Sequence, residues 1–177
     1  PESIEQPDER PPFPTHYTSN MTDIGADSSP TISFEFFPPA TPAGWLALDR
    51  RIGELVPLEP SFVSVTYGAA GTTRDRTHDL VERLIKDTSL RPVPHLTCAG
   101  HRRDEIDRIL ERYAEAGIDA ILALRGDPPA EGAEVTEGDF NFAADLVAHI
   151  QSFGERHGHQ FKIGVAGFPE GHPDTPN

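Results

Sequence analysis

A glutamate stands in a run of apolar residues near the beginning of the chain, where a carboxyl group could do acid–base chemistry. The run, residues 31–39, alternates as a β-strand does, with Phe34 and Phe36 on one face and Glu35 on the other. The strand is apolar enough that we expect both of its faces to be buried. An ionised, unpaired carboxylate costs several kcal/mol in such a place. Glu35 is therefore expected either to pair with a cation on a neighbouring strand or to act as a proton donor.

Polar residues whose side chains could take part in catalysis or binding also stand at the ends of four later apolar segments. They are Thr66 and Tyr67, His95, Arg125–Asp127, and Glu170–His172. If the segments are parallel strands, their C-terminal ends meet at one edge of a sheet, where active sites are built. Two plainer interpretations stay open. His95 is a core histidine with satisfied hydrogen bonds, or Arg125 is only the ion-pair partner of Glu35.

Motifs for metal and nucleotide binding are incomplete. Cys98 and His101 have the spacing of metal ligands, but no second pair accompanies them, so no metal site is predicted. The loop from Gly68 to Gly71 lacks the Lys-Ser/Thr of a P-loop. No G-x-G-x-x-G follows any of the strands, which disfavours a dinucleotide site of the Rossmann type.

Strand and helix patterns alternate along residues 31–177. Thr41 is expected to cap a first helix that begins with Pro42, and Gly117 to follow the end of the third helix. Phe142 is expected to face inward from the fourth. The other predicted elements are strands at Ser61–Tyr67, Val93–Cys98, Ala120–Arg125 and Lys162–Phe168, and helices at about residues 75–88, 103–116 and 140–154.

Five strands joined by helices predict an α/β fold with a parallel sheet, either doubly wound or part of a barrel. Alternate residues of a strand point to opposite faces, and the composition of these two sets, or parities, distinguishes the two architectures. One parity carries Ser33, Glu35, Ser64, Thr66, His95, Thr97, Ala123 and Arg125, and the other carries Phe34, Phe36, Val63, Val65, Leu96, Leu122 and Leu124. A doubly wound sheet would be apolar on both faces of its central strands. We therefore predict a (β/α)8 TIM barrel, of which the chain contains about five of the eight βα units.

Net charge, apolar runs and the number of cysteines disfavour several classes of binding partner and of protein. The 177 residues include 15 Lys or Arg and 29 Asp or Glu, a net charge of −14, which disfavours nucleic acid and anionic membranes. No apolar run is long enough to span a bilayer, and no leader is recognisable. The single cysteine, Cys98, excludes an internal disulfide framework. We expect a soluble, cytoplasmic protein.

Residues 1–30 are predicted to form a disordered, acidic, proline-rich arm ahead of a domain at residues 31–177. Five of the first twenty residues are proline, and the arm carries six acids against one base, Arg10. The sequence begins at Pro1, and Met21 is a candidate for the biological start.

Five motifs give the chain a resemblance to the methylenetetrahydrofolate reductase family. They are Ser33–Pro39 (SFEFFPP), Phe62–Ala69 (FVSVTYGA), Arg74–Thr77 (RDRT), Pro94–Cys98 (PHLTC) and Ala123–Asp127 (ALRGD). All five occur in the order and spacing of that family and span nearly everything from residue 31 onward. Together they are highly specific.

The resemblance implies a barrel flavoenzyme that binds FAD without a Rossmann domain. NADH or NADPH would reduce the flavin and leave, and 5,10-methylenetetrahydrofolate would take its place in a ping-pong reaction. Hydride from the reduced flavin would give 5-methyltetrahydrofolate for methionine biosynthesis. The implied protein is an oxidoreductase of one-carbon metabolism that acts on small molecules and forms a homo-oligomer when full length.

Motif matches also imply roles for single residues. Glu35 would be the general acid that protonates N10 of the folate, a role that desolvation between phenylalanines would favour. Asp127 would be catalytic beside the flavin and the pterin, where its charge favours a cationic intermediate. Thr66 would contact the nicotinamide nucleotide. The FAD contacts would be Tyr67, Ala69, His95, Arg125, Gly126, Asp127, Ala143, Phe168 and His172.

Two departures from the family pattern bear on these roles. Phe168 stands where the family usually has Tyr, so stacking on the flavin is kept and a hydroxyl hydrogen bond is lost. The sequence also stops at Asn177, before the family's later cofactor and folate contacts and before strands six to eight. We therefore expect a fragment of a longer gene product.

Two other functions were weighed against the reductase. The alternative function is a truncated, catalytically incompetent barrel fragment that keeps the motifs but binds FAD poorly. A flavin-free barrel oxidoreductase is disfavoured by the intact motifs at Thr66, His95 and Arg125.

Overall fold

The computed structural model describes residues 31–67, 74–127 and 138–167, along which strands and helices alternate as predicted. The strands are β1 (Ser33–Phe36), β2 (Phe62–Val65), β3 (Pro92–Thr97), β4 (Ala120–Leu124) and β5 (Lys162–Val165). The helices are α1 (Pro42–Leu55), α2 (Arg74–Asp87), α3 (Arg103–Glu115) and α4 (Ala143–His157), and the 3-10 helix Val56–Leu58 follows α1 directly. All five strands end earlier than the sequence pattern predicts. Thr66, Tyr67 and residues 125–127 therefore follow strand ends, whereas His95 lies within β3.

The strands form one parallel sheet in the order β1-β2-β3-β4-β5. Each strand pairs with the next one along the chain, and the order of the described strands never reverses. A doubly wound sheet has such a reversal at its switch point, so that alternative does not fit the described residues. The predicted α/β fold with a parallel sheet is confirmed.

One face of the sheet is buried against the helices, and the other, called here the polar face, is partly exposed. The buried face carries Phe36, Val63, Val65, Leu96, Ile121 and Ala123, which join one core with apolar residues from all four helices. The polar face carries Glu35, Ser64, His95 and Leu122. No helix in the described segments is long and apolar enough to cross a membrane.

The faces of β4 are the reverse of the prediction. Ala123 pairs with Leu96, and Leu122 pairs with His95. Since paired residues of parallel strands point to the same side, Ala123 belongs to the buried face and Leu122 to the polar face. Both parities of β4 are apolar, so the pattern within this strand contains no signal for choosing between them.

Local sequence sets the ends of α1 and α3 as predicted. Thr41 Oγ1 accepts a hydrogen bond from the backbone N–H of Gly44 (3.1 Å), and Pro42 is the first helical residue. Gly117 follows α3 with a φ of +79°. This left-handed conformation is open to glycine because it lacks a Cβ atom.

Helix α4 begins at Ala143 rather than at residue 140 and ends at His157 rather than at residue 154. The Asp145 carboxylate accepts hydrogen bonds from the backbone N–H groups of Asn141 (2.9 Å) and Phe142 (3.0 Å). Phe142 is therefore the N-cap, and its side chain is 54% exposed instead of facing inward. The acid in the first turn was the sequence signal for this start.

A cluster of rings lies where α2 and α3 pack under the end of β2. The ring of His78 is 6.2 Å from that of Tyr67 and 5.2 Å from that of Tyr113, measured between centroids. Burial, reinforced by the positive charge of Arg112, lowers the pKa of His78 from 6.5 to about 4 against the opposing charges of Asp75, Glu82 and Asp79. His78 is therefore neutral at pH 7.

This neutral histidine makes stability depend on pH. Between pH 6.5 and about 4 the unfolded chain binds a proton at residue 78 that the folded chain excludes. The free energy of unfolding should therefore decrease by up to about 3 kcal/mol as the pH falls from 6.5 to about 4. Below that pH the contribution of this histidine should stay constant. His78→Phe keeps a ring beside Tyr67 and Tyr113 and should remove that part of the slope in urea unfolding at a series of pH values. An equal slope in the two proteins would contradict the assignment.

Candidate functional site

Three polar side chains meet on the polar face across β1, β2 and β3. Ser64 Oγ donates a hydrogen bond to Glu35 Oε2 (3.3 Å), and the same oxygen lies 3.4 Å from His95 Nε2. Glu35 pairs with Ser64, and Ser64 pairs with Val93. His95 stands two residues beyond Val93 and reaches back across β2 to the carboxylate. We call Glu35, Ser64 and His95 the Glu35 cluster.

His95 is the buried member of this cluster, with 9% of its surface exposed. Burial lowers the pKa of His95, and the Glu35 carboxylate opposes that effect. The imidazole is therefore neutral at pH 7, and its contact with Glu35 lacks the geometry of a hydrogen bond. His95 therefore places no positive charge beside the carboxyl group of Glu35.

The expected burial of Glu35 is wrong, because 47% of its side chain is exposed. β1 is an edge of the described sheet, with β2 as its one described neighbour, so no described strand lies on its other side. The expectation that Arg125 could be its partner is also wrong, since the contacts of Glu35 go to Ser64 and His95. Nor is His95 a satisfied core histidine, because its Nε2 has no hydrogen-bond partner among the described residues.

Arg125, Gly126 and Asp127 follow β4 directly, and the two charged residues are exposed. The ladder with β3 continues past the strand end, where the backbone N–H of Ala99 donates to the carbonyl oxygen of Arg125 (2.9 Å). Gly126 has a φ of +88°, and a Cβ at this position would lie 2.9 Å from Thr97 Cβ. The backbone path itself therefore requires glycine here.

Ala143 is the first residue of α4 and is half-buried. The buried thiol of Cys98 lies 3.5 Å from the carbonyl oxygens of both Arg125 and Phe142. The structure thus brings the segments of Arg125 and Ala143 together. Hydrogen bonds from the backbone of residues 141 and 142 lower the pKa of the Asp145 carboxyl, so a carboxylate already caps this helix start.

Thr66 and Tyr67 follow β2, and both are held by contacts with neighbouring elements. The backbone N–H of Thr66 donates to Phe36 (3.0 Å), and its carbonyl oxygen accepts from Thr77 Oγ1 (2.9 Å). Tyr67 is buried on the helix side of the sheet, where its ring packs against His78. Its side chain therefore lies apart from the Glu35 cluster.

Three predicted cofactor contacts, Ala69, Phe168 and His172, lie outside the described residues. Within residues 31–67, 74–127 and 138–167, no three His, Cys, Asp or Glu side chains are grouped in a way that could hold a metal ion.

Ser64 is the member of the cluster that the motifs did not single out. Parity puts it on the face of Glu35, but only the register makes it a donor to the carboxylate. Glu35 and Ser64 are each the third residue of a four-residue strand. Parity was therefore the available sequence signal, and the register was not contained in it.

The fold and the site together define an α/β domain with a parallel sheet that carries acidic and polar side chains on one face. Comparison with known proteins identifies the family. The sequence model described as methylenetetrahydrofolate reductase matches residues 20–177. The chain belongs to the methylenetetrahydrofolate reductase family.

Individual relatives agree with this. The 5,10-methylenetetrahydrofolate reductases of Pectobacterium carotovorum subsp. carotovorum and Escherichia coli (strain K12) are 43% and 42% identical to the chain over 144 and 145 residues. Each match covers 81% of this chain, but only 45% and 46% of the relative. Methylenetetrahydrofolate reductase (NADH) 1 of Zea mays is 40% identical over 88% of this chain and 26% of its own length. The chain thus spans less than half the length of these relatives.

The contact that an added Cβ at Gly126 would make with Thr97 can be tested by comparing Gly126 with Gly117. Gly117 also has a positive φ, +79°, but nothing lies within 4 Å of an added Cβ. Gly117→Ala should therefore lower the free energy of unfolding by about 1 kcal/mol, the cost of the left-handed conformation alone. Gly126→Ala adds the clash with Thr97 and should cost at least about 2 kcal/mol. Urea unfolding measures both, and equal losses would show that the clash is relieved.

Proposed function

We propose that this chain forms about five of the eight βα units of a TIM-barrel domain that reduces 5,10-methylenetetrahydrofolate to 5-methyltetrahydrofolate with FAD and NADH or NADPH. Family membership supplies the substrate class, and the Glu35 cluster is the observation that carries the chemistry. The sequential strand order and the helices gathered on one face support the barrel.

Glu35 acts as the proton donor in this proposal. Its proton passes to N10 of the folate, the bond between N10 and the one-carbon unit breaks, and the iminium left on N5 accepts a hydride. A folate bound over the polar face would cover the exposed carboxyl, and the loss of water favours the protonated form. The exposure of Glu35 between turnovers lets solvent return the proton.

The neighbours of Glu35 suit this role. Ser64 Oγ donates to Oε2 and so orients the carboxyl group. Neutral His95 adds no charge that would oppose proton uptake. Asp127 is exposed after β4, where its negative charge would stabilise the cationic iminium of the substrate.

The described residues also fit FAD. His95 Nε2 is a buried ring nitrogen without a hydrogen-bond partner in the described segments, which suits a polar edge of the isoalloxazine. Arg125 is an exposed cation at the end of β4 and suits a diphosphate or a flavin anion. FAD, when bound, supplies a two-electron acceptor and donor of hydride.

The remaining contacts rest on the motif match. They are Tyr67, Ala69, Gly126, Ala143, Phe168 and His172 for FAD, and Thr66 for the nicotinamide nucleotide.

The cofactor assignment is tested by titrating the purified chain with FAD and following flavin fluorescence and the flavin absorption band. Saturable binding to one site supports the proposal. His95→Leu should weaken binding, while the same change at the exposed His157 should not. A chain that folds but binds no flavin would instead support the alternative function, a fragment that keeps the motifs and binds FAD poorly.

The acid role predicts a split between the two half-reactions. Glu35→Gln keeps an acceptor for Ser64 but has no carboxyl proton, so folate reduction should fall at least about 100-fold while flavin reduction by the nicotinamide donor persists. Rapid-mixing measurements on the full-length holoenzyme separate the two steps. NADH is tested first, because the names of two plant relatives carry NADH.

Glu54→Gln is the control, since that exposed carboxylate of α1 pairs with Arg51 on the same helix. It should change neither half-reaction. Equal loss of both steps in Glu35→Gln would contradict a proton-donor role.

A further inference from the structure

His101 is buried although it lies in the loop between β3 and α3, with only 1% of its surface exposed. Its Nε2 lies 3.3 Å from the hydroxyl oxygen of Tyr67. Its Nδ1 lies 3.5 Å from Glu105 Oε2. The three side chains form a line from the surface, at Glu105, to the residue that follows Thr66 after β2.

The contact with Glu105 is a proximity of charges, and the contact with Tyr67 is a hydrogen bond. Glu105 Oε2 accepts from the backbone N–H of Arg102 (2.9 Å) and lies 3.5 Å from His101 Nδ1. The hydrogen bond between His101 Nε2 and the Tyr67 hydroxyl therefore sets the rotation of that phenol group.

The backbone of His101 holds a second element. Its carbonyl oxygen accepts from the backbone N–H of Asp139 (2.8 Å), and the Asp139 carboxylate accepts from the backbone N–H of Arg103 (2.9 Å). Gly138 packs so closely that a Cβ there would lie 2.7 Å from the carbonyl oxygen of His101. The segment that leads into α4 therefore packs against the backbone of His101 and is hydrogen-bonded to it.

We propose that His101 is a positioning residue for the cofactor site, which fixes Tyr67 through its side chain and the segment before Ala143 through its backbone. The inference rests on the proposed function, because Tyr67 and Ala143 are proposed FAD contacts. It also explains the pair Cys98 and His101, whose spacing resembles half of a metal site. Cys98 instead reaches the carbonyl oxygens of Arg125 and Phe142, and His101 reaches Tyr67.

The test is FAD affinity, measured by flavin fluorescence for the wild-type chain, Tyr67→Phe, His101→Phe and the double variant. Each single change should weaken binding about tenfold, the factor expected for one hydrogen bond. The double variant should bind no more weakly than His101→Phe, because both changes remove the same bond. Independent, multiplied losses would mean that His101 does not act through the Tyr67 hydroxyl.

Two further variants control for structural damage. Gln places an amide near the position of Nε2, so His101→Gln should restore most of the affinity. Tyr113→Phe also removes a buried hydroxyl, but one without a hydrogen-bond partner in the described residues, and should leave affinity unchanged. The circular dichroism of the bound flavin should change in Tyr67→Phe and His101→Phe and be normal in these two controls.

The outcomes distinguish a failure of the positioning role of His101 from a failure of the proposed FAD binding. If the folded wild-type chain binds no FAD, the proposed cofactor and the role of His101 both fail. If it binds FAD and His101→Phe binds equally well, only the positioning role fails. Should His101→Phe not fold, the comparison of Tyr67→Phe with Tyr113→Phe decides, and equal affinities would overturn the inference.

Discussion

Ser64 reaches Glu35 because the register of β1 and β2 puts the third residue of each strand side by side. The same register turns Val63 and Val65 into the core, where both are fully buried. A slip by one residue would exchange the faces, exposing the valines and turning Ser64 toward the helices. Packing on one side of the sheet therefore fixes the geometry of the Glu35 cluster on the other.

Periodicity was enough to predict the alternation of strands and helices, and capping residues such as Thr41 and Gly117 marked helix ends correctly. These signals are local, and the structure agrees with them for that reason. The faces of β4 were not predictable in the same way, since Ala120–Leu124 is apolar on both parities. The side that faces the helices is decided by pairing with β3, which no pattern within β4 contains.

The candidate site shows the same division between local and non-local information. Motif and strand position singled out Glu35 and His95, but the contact between them crosses an intervening strand and depends on the register. The expected burial of Glu35 failed because an apolar strand is buried only where a neighbour covers it. The sequence did not predict the contacts of Ser64 and His101, because each contact is made with a partner distant in sequence.

Burial has the same effect on two imidazoles on opposite sides of the sheet. The pKa values of His78 and His95 are both lowered, first of all by desolvation, so both rings are neutral at pH 7. His95 therefore places no positive charge beside Glu35, whose side chain is 47% exposed. Under the proposed function a folate that covers Glu35 removes its water, which favours the protonated form. Proton donation would then be coupled to folate binding, and transfer of hydride from the nicotinamide nucleotide, which needs no proton from Glu35, would proceed while the carboxyl is still hydrated.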